Sequence, residues 1–458
     1  MALDQLVRGF DVARVHNDAL RLLARVGLEV RDEALRGRLV ATGAVRQSGH
    51  RVLLDAATVE AYAEQLRHDG AARAPAEPDE RLTVSVARWP MFFVEPQSDE
   101  LRPFTTDVLI EYTKLVDAFR EEGLTGSVPG TPQDVPPPIQ ELVQYAIACR
   151  YSRGAGFPGA IGEPRAVDYM LGIARVMGHR IGVGVEAYSP LTFSGNSVAL
   201  VLRLRSQAEG VGLDPMPIMG VSAPLDWHAA WAQSVAENLG GYAILRLLGF
   251  ERVSPTFRLF PASMRSATIA FGSPEFLLAL LTRSRIRELY GQPIGAAESL
   301  HTMAKLPDAH AVAERSAQTL FAAMLGHRRF SAAGSLAIDE VFSPEQLVID
   351  LEIRDYVERL MRGIEAGGDD CLSVVAEGLD GRSFLTAERT LANWREFFWL
   401  PRVFLQTSRA QWQASPRSVL ADAWALARER LARHEYELDD ERRRAVDSIV
   451  QEAEQALT

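Results

Sequence analysis

Between residues 105 and 415, short runs rich in Val, Ile, Gly or Phe are each followed by ten or more residues of helical periodicity, and this alternation occurs eight times. Consecutive strands separated by helices must lie parallel, because only a crossover returns the chain to the starting edge of the sheet. The expected strands are Leu124–Val128, Phe157–Ile161, Ile181–Glu186, Met216–Val221, Pro255–Phe260, Pro293–Ala297, Arg329–Ala333 and Ser383–Thr386. Helical patterns fall at Ile139–Tyr151, Ala166–Met177, Val198–Ala208, Trp227–Leu248, Pro274–Tyr290, Ala309–Leu325 and Pro344–Ile364. No glycine-rich G-x-G-x-x-G turn follows any strand, which argues against an open doubly wound sheet. The pattern predicts an α/β fold, a (β/α)8 TIM barrel.

Two additions flank the barrel. In residues 1–104, apolar positions Val12, Val15, Leu20, Leu22, Leu23 and Val26 recur near helical spacing, and Gly27 follows where a helix stops. This region reads as a mainly helical cap. Its stretch from Arg67 to Arg81 turns to Ala, Pro, Asp and Glu, as in an exposed connection. Residues 416–458 form a charged, regularly apolar helical extension, expected to pack on the barrel or on a second subunit.

With 47% hydrophobic and 24% charged residues, the chain of 458 residues has an ordinary globular composition. Its net charge of −11 disfavours a phosphate-backbone partner. Cys149 and Cys371 alone support neither a disulfide framework nor a four-ligand zinc site. The amphipathic, charged N-terminus does not read as a secretory signal, and no window reaches the ~18 apolar residues of a membrane span. A cytoplasmic protein is expected, with no bound metal.

Barrel active sites gather at the C-terminal ends of the strands, so the residues following each strand are the candidates. These are Glu163, then Glu186 at the end of its strand with Tyr188 and Ser189 after it, Arg258 and Phe260 carried by the fifth strand itself, Glu298 and His301, Ser335, and Glu388 with Arg389. Phe93 adds an aromatic face from the cap. Carboxylates and aromatics on one rim suit a cationic ligand, since ring quadrupoles attract ammonium groups. Structural readings compete: Glu163 or Glu186 as rim ion pairs with Arg165 or Arg258, Phe93 and Phe260 as core, Glu237 as a structural hydrogen-bonding group. The Gly334-Ser335 turn permits close backbone approach by a ligand.

Five separated motifs, Gly272-Ser273-Pro274-Glu275, Tyr290-Gly291-Gln292-Pro293, Ala304-Lys305-Leu306-Pro307-Asp308-Ala309, Ala333-Gly334-Ser335-Leu336 and the run Ser343–Ile353, occur in that order. Together with VHNDALRLLARVGLEV at 15–30, RPFTTD at 102–107 and AENL at 236–239, they resemble the trimethylamine methyltransferase-like family over nearly the whole chain. The absence of pyrrolysine places the resemblance in the branch similar to glycine betaine methyltransferase. The resemblance implies a methyltransferase moving a methyl group between a small quaternary amine or betaine and the cobalt of a corrinoid (cobalamin) on a partner protein. With that reaction, the strand-end candidates for catalytic roles are His301 and Glu186. Substrate contacts then fall to Tyr188, Phe260, Arg258, Glu163, Glu298, Ser335, Arg389 and Phe93.

Three departures bear on substrate. Arg389 stands where the family has a histidine, Thr302-Met303 replace an acidic residue, and Ser263-Met264-Arg265 stand where an aspartate is common. An arginine near the site repels a bare ammonium and clamps a carboxylate. Two other readings are a corrinoid-independent, for example folate-linked, methyltransferase and a small-ligand-binding barrel without catalysis. A homo-oligomer is expected.

Overall fold

The computed structural model describes residues 3–73, 81–159, 161–185, 187–193, 196–292, 297–364, 367–368, 370–379 and 383–458. The barrel wall holds seven short parallel strands: β1 (Thr83–Val86), β2 (Leu124–Thr125), β3 (Gly182–Val185), β4 (Gly210–Leu213), β5 (Val253–Pro255), β6 (Glu298–Ser299) and β7 (Arg329–Ala333). They form two arcs, β6-β7-β1-β2 and β3-β4-β5, in which every neighbouring pair is parallel. The extended segment 157–159 takes the remaining place beside β3, where the Gly159 carbonyl accepts a hydrogen bond from the Gly184 N–H at 2.8 Å. Eight β/α units result, and the protein is a (β/α)8 barrel.

Several sequence expectations shift within this frame. Arg329–Ala333 is a strand as predicted, Leu124–Thr125 begins where expected, and Gly182–Val185 lies inside its expected range. The fourth strand is Gly210–Leu213, and the expected Met216–Val221 is the loop after it. A Gly-Val-Gly-Leu strand carries too few apolar residues to stand out from the preceding helix. The fifth strand is Val253–Pro255, two residues upstream of its expected start. Residues 293–296 of the expected sixth strand lie outside the described residues, and the strand there is Glu298–Ser299. Ser383–Thr386 is a 3-10 turn. The strand that completes the wall is Thr83–Val86, N-terminal to residue 105, held between β7 and β2.

Helix Trp227–Leu247 lies at the centre of the larger core, and every residue from Ala230 to Leu245 is buried. It is sandwiched between the N-terminal helix Val12–Arg25 and the barrel wall. Two glycines permit this approach: a Cβ on Gly240 would meet Leu23 and Leu28 at 2.7 Å, and one on Gly241 would meet Leu213 at 2.7 Å. Val12–Arg25 starts at Asp11, whose carboxylate accepts from the N–H groups of Ala13 and Arg14. Around it lie helices Glu33–Ala41 and Ala56–Arg73 and a three-stranded antiparallel sheet.

The terminal extension packs on its own barrel. Helix Val419–Leu431 lies against Pro344–Met361 and Thr106–Ala118, and helix Asp440–Leu457 lies against Gln140–Tyr151 and Val167–Met177. Among the described residues no helix is long and apolar enough to cross a membrane.

Candidate active site

Side chains alternate across a strand, so burying one set against the helices turns the other into the barrel. In β3 and β4 the buried residues are Val183, Val185, Val211 and Leu213, which join the core with Val201, Leu239 and Tyr242. Gly182, Gly184, Gly210 and Gly212 therefore face inward, where most barrels place bulky branched side chains. In the other arc, Val84, Leu124 and Phe330 pack outward with Leu109 and Leu347. The inward layer is Ser299, Ser331, Ser85 and Thr125, in register across β6-β7-β1-β2.

Three of these hydroxyls donate to a carbonyl of the adjoining strand: Ser331 to Glu298 at 3.5 Å, Ser85 to Phe330 at 3.3 Å, and Thr125 to Val84 at 3.2 Å. With their protons engaged in the wall, their oxygens remain acceptors toward the lumen. Small side chains on both arcs leave a cavity of about 480 Å³ at the C-terminal end of the barrel. Arg88, Trp89, Gln144, Tyr145, Phe157 and Arg258 contribute its larger lining side chains, with His301, Ser299 and Ser331 on its floor and side. Among the described residues, none that lines it is a carboxylate.

Arg258 reaches this cavity from the loop after β5, where Asp214 holds its guanidinium at 3.0 Å. Thr256 donates to the same carboxylate at 2.8 Å. Asn238 fixes the loop by accepting from the N–H groups of Thr256 and Phe257, each at 3.1 Å. Arg258 thus arrives with one face paired and the cavity before it. Arg88 is the second lining cation, and burial lowers its pKa from the ordinary guanidinium value.

His301 lies partly buried beneath the cavity, with its Nε2 enclosed. Its Nδ1 is hydrogen-bonded to Ser299 Oγ, its ring lies 4.8 Å from that of Phe271, and its Nε2 has no partner among the described residues. Burial, reinforced by the positive charges of Arg315 and Arg258, depresses its pKa to about 3. The imidazole is neutral near pH 7 and a weak proton acceptor. Its free Nε2 offers a hydrogen bond instead.

A small adjoining void of about 60 Å³ is lined by Arg258, Phe260, Phe271, Arg283, Glu298 and His301, among others. Glu298 is bound to Arg283 at 2.6 Å with both side chains buried. Burial alone would raise the Glu298 pKa, but Arg283, His327, Arg258 and Arg287 hold it below the usual carboxylate range. Burial, with Arg283 nearby, lowers Arg287 to about 9. Terminal nitrogens of Arg283 and Arg287 are buried without hydrogen-bond partners among the described residues, so the region carries excess positive charge.

Of the residues named from sequence, Arg258, Phe260, Glu298 and His301 come together around these joined cavities. Tyr188 sits half-exposed in the loop after β3, exchanging backbone hydrogen bonds with Thr192. Glu163 caps the turn Pro164–Ala166 and binds Arg165, whose side chain is the main cause of its low pKa of about 2. Phe93 is buried against Phe104 and Tyr112. Ser335 is fully enclosed, its carbonyl bound by Arg315 and its Oγ without a partner among the described residues. Arg389 lies on helix Glu388–Phe397, and none of these last five residues lines either cavity. Glu186 lies outside the described residues.

Arg88, Trp89, Tyr145, Phe157 and Ser331 line the cavity without having been singled out. Arg88 and Trp89 follow β1, which lies in the region read from sequence as the mainly helical cap, so they were not among the strand-end candidates. Ser331 sits inside an expected strand, where only period-2 inspection of facing residues would have found it. Glu237 is a structural group: its carboxylate accepts from Ser189 Oγ at 2.7 Å, Leu191 N–H at 2.8 Å and Gln233 at 2.9 Å. Burial raises its pKa to about 7.

The fold and cavity define a barrel protein with a polar candidate site at the C-terminal mouth, in which no described lining residue is a carboxylate. The trimethylamine methyltransferase (MTTB) family model matches residues 5–457, and the chain belongs to that family. Glycine betaine methyltransferase of Desulfitobacterium hafniense is 22% identical over 431 residues, 88% of this chain and 87% of that one. Trimethylamine methyltransferase MttB of Methanosarcina thermophila is 29% identical over 210 residues, which span 44% of this chain and 42% of that relative. Among solved structures, the monomethylamine methyltransferase MtmB of Methanosarcina barkeri aligns over 92% of this chain and 86% of its own, at 14% identity and a TM-score of 0.49.

Proposed function

We propose that the protein is a methyltransferase acting on a small quaternary amine that carries a carboxylate, with a corrinoid on a separate protein as methyl acceptor. The observation that carries the substrate reading is the charge of the cavity: Arg258 and Arg88 line it, and no described lining residue is acidic. A bare ammonium would be repelled by these cations and bring no carboxylate to offset them. A betaine-like zwitterion offers its carboxylate to Arg258, a guanidinium already oriented by Asp214. Its ammonium end is then served by the faces of Trp89, Tyr145 and Phe157 and by the acceptor oxygens of the Ser/Thr layer.

A cavity of about 480 Å³ suits such a substrate. It is too small to enclose a corrinoid macrocycle as well, which supports an acceptor presented from outside. Trp89, Met216, Leu225 and Met264, exposed on loops that follow strands β1, β4 and β5, offer an apolar rim for that approach. The corrinoid supplies the nucleophile, while this chain binds and orients the amine and limits water around it. A quaternary nitrogen leaves without a proton, so a neutral His301 with a free Nε2 fits a positioning contact better than acid–base work.

The test is purified protein with chemically reduced cob(I)alamin and a panel of quaternary amines with and without a carboxylate, followed by the absorbance change to methylcobalamin. Conversion confined to carboxylate-bearing amines is expected. Conversion of tetramethylammonium at a comparable rate would overturn the substrate reading, and no conversion with any donor by folded protein would overturn the corrinoid reading.

A further inference from the structure

We infer that the described residues 370–379 and 383–414 form an arm through which two copies of this chain associate about a two-fold axis, at the pole opposite the cavity. Its starting point is fixed by contacts of helix Pro344–Met361. Glu358 accepts from Leu82 N–H at 2.8 Å just before β1, and Arg354 binds the Glu122 carbonyl just before β2. The helix therefore ends at the N-terminal side of the barrel. The arm leaves from there and returns there, where Arg402 binds Glu122 and Asp355.

Within the arm, helices Cys371–Ala376, Glu388–Phe397 and Arg409–Ala414 have 6, 10 and 6 residues, and none has a buried residue. Isolated helices of this length are marginal in water, and their stability normally comes from packing an apolar face. Here the apolar side chains point outward: Ile364 is 96% exposed, Leu385 79% and Leu372 76%, with Leu391, Phe397 and Phe398 more than half exposed. At ~150–250 Å² for a fully exposed large side chain, the arm and the adjoining end of Pro344–Met361 present roughly 1,000–1,500 Å² of apolar surface. That exceeds the few hundred Å² a monomer ordinarily leaves open, and doubled across a two-fold it reaches the range of permanent homodimers.

A second copy is the occupant these features favour. Helices that bury nothing need a cover always present in equal number, which an identical chain provides. The surface is close to charge balance, with seven acidic and five basic side chains between residues 363 and 414, so repulsion between two −11 chains is not concentrated there. The same balance gives no attraction to an anionic lipid surface. An isologous contact closes on itself and leaves both cavities open.

The assembly is tested by light scattering on the full chain at micromolar concentration. The wild type should have at least twice the 50.5 kDa chain mass, and Leu385→Glu/Leu391→Glu/Phe398→Glu should halve the wild-type mass while keeping the far-UV circular dichroism. Met264→Glu/Leu225→Glu, on the cavity side, should leave it unchanged. A wild type at the chain mass, an arm variant of undiminished mass, or dissociation caused by the cavity-side variant instead would each overturn the inference. A spin label on Cys371, exposed in the arm while Cys149 is buried, needs no arm substitution. Dipolar coupling between labels of two copies is expected, and its absence would overturn the arm contact. Flotation of single chains with phosphatidylcholine vesicles would do the same, assigning the surface to lipid.

Discussion

Four barrel strands turn Ser and Thr side chains inward, while β3 and β4 across the lumen turn in only glycines. The first arc is a filled and strongly bonded wall. Beneath it Arg315 and Asp350 are paired at 2.8 Å with no exposure, and Asp350 also accepts from Gly334 N–H at 2.7 Å and Gln346 at 2.8 Å. The second arc withholds side chains, and space results. One half of the barrel thus supplies rigidity and acceptor oxygens, and the other supplies volume and, from the loop after β5, the cation.

The largest expected effect comes from breaking the bonded arc. Asp350→Ala leaves Arg315 buried and uncompensated, and should cost about 3–5 kcal/mol of stability in urea unfolding. Arg315→Met/Asp350→Leu should recover most of that loss; a single variant that unfolds at the wild-type urea concentration would mean the pair is dispensable. On the glycine arc the reverse pattern is expected. A Cβ at Gly184 or Gly212 meets only ordinary contacts, at 3.7 and 3.8 Å, so Gly212→Ala should be tolerated. Gly212→Leu reaches into the lumen and should cut turnover by more than about tenfold with a smaller loss of stability than Asp350→Ala. If the leucine variant turns over normally, the glycine-lined space is not where substrate sits.

Arg258→Gln sharpens the comparison at its boundary. It removes the charge that faces a substrate carboxylate and should raise KM about 10–100-fold for a betaine, roughly 1.5–3 kcal/mol, with a smaller change in kcat. An unchanged KM would move the anion site elsewhere. The smallest effect concerns Glu237, which braces the loop after β3. Its folded pKa of about 7 lies above the usual 4.5, so the folded state holds the extra proton, and stability from this group is full below about 4.5 and falls as pH rises to about 7. Glu237→Gln should therefore unfold with a weaker decline over that window than the wild type. His301 runs in the opposite sense, its depressed pKa of about 3 contributing stability above about 6.5 that is lost as pH falls toward 3; comparing wild type with Glu237→Gln isolates the carboxyl from it.

Arg258 was legible inside a run with strand character, and Glu298 and His301 because they follow one. Tyr188, Glu163 and Ser335 satisfy the same positional rule yet lie outside the cavity, because a post-strand residue can turn toward a neighbouring loop, cap a helix or be sealed by one. Arg389 was placed at the mouth by an eighth strand that is a 3-10 turn. The true closing strand, Thr83–Val86, is a four-residue stretch after a polar linker, and nothing local to it distinguishes a barrel strand from a strand of the cap.

The order of alternating elements, set by period-2 and helical patterns in the chain itself, determined that this protein builds a β/α barrel, and its separated motifs determined its family. Tertiary structure alone decided which strand closes the wall, which residues face the lumen and which cations are brought to it. Those are matters of register and of approach between segments as distant as Thr83 and Arg329, and such non-local pairing leaves no periodicity in either segment.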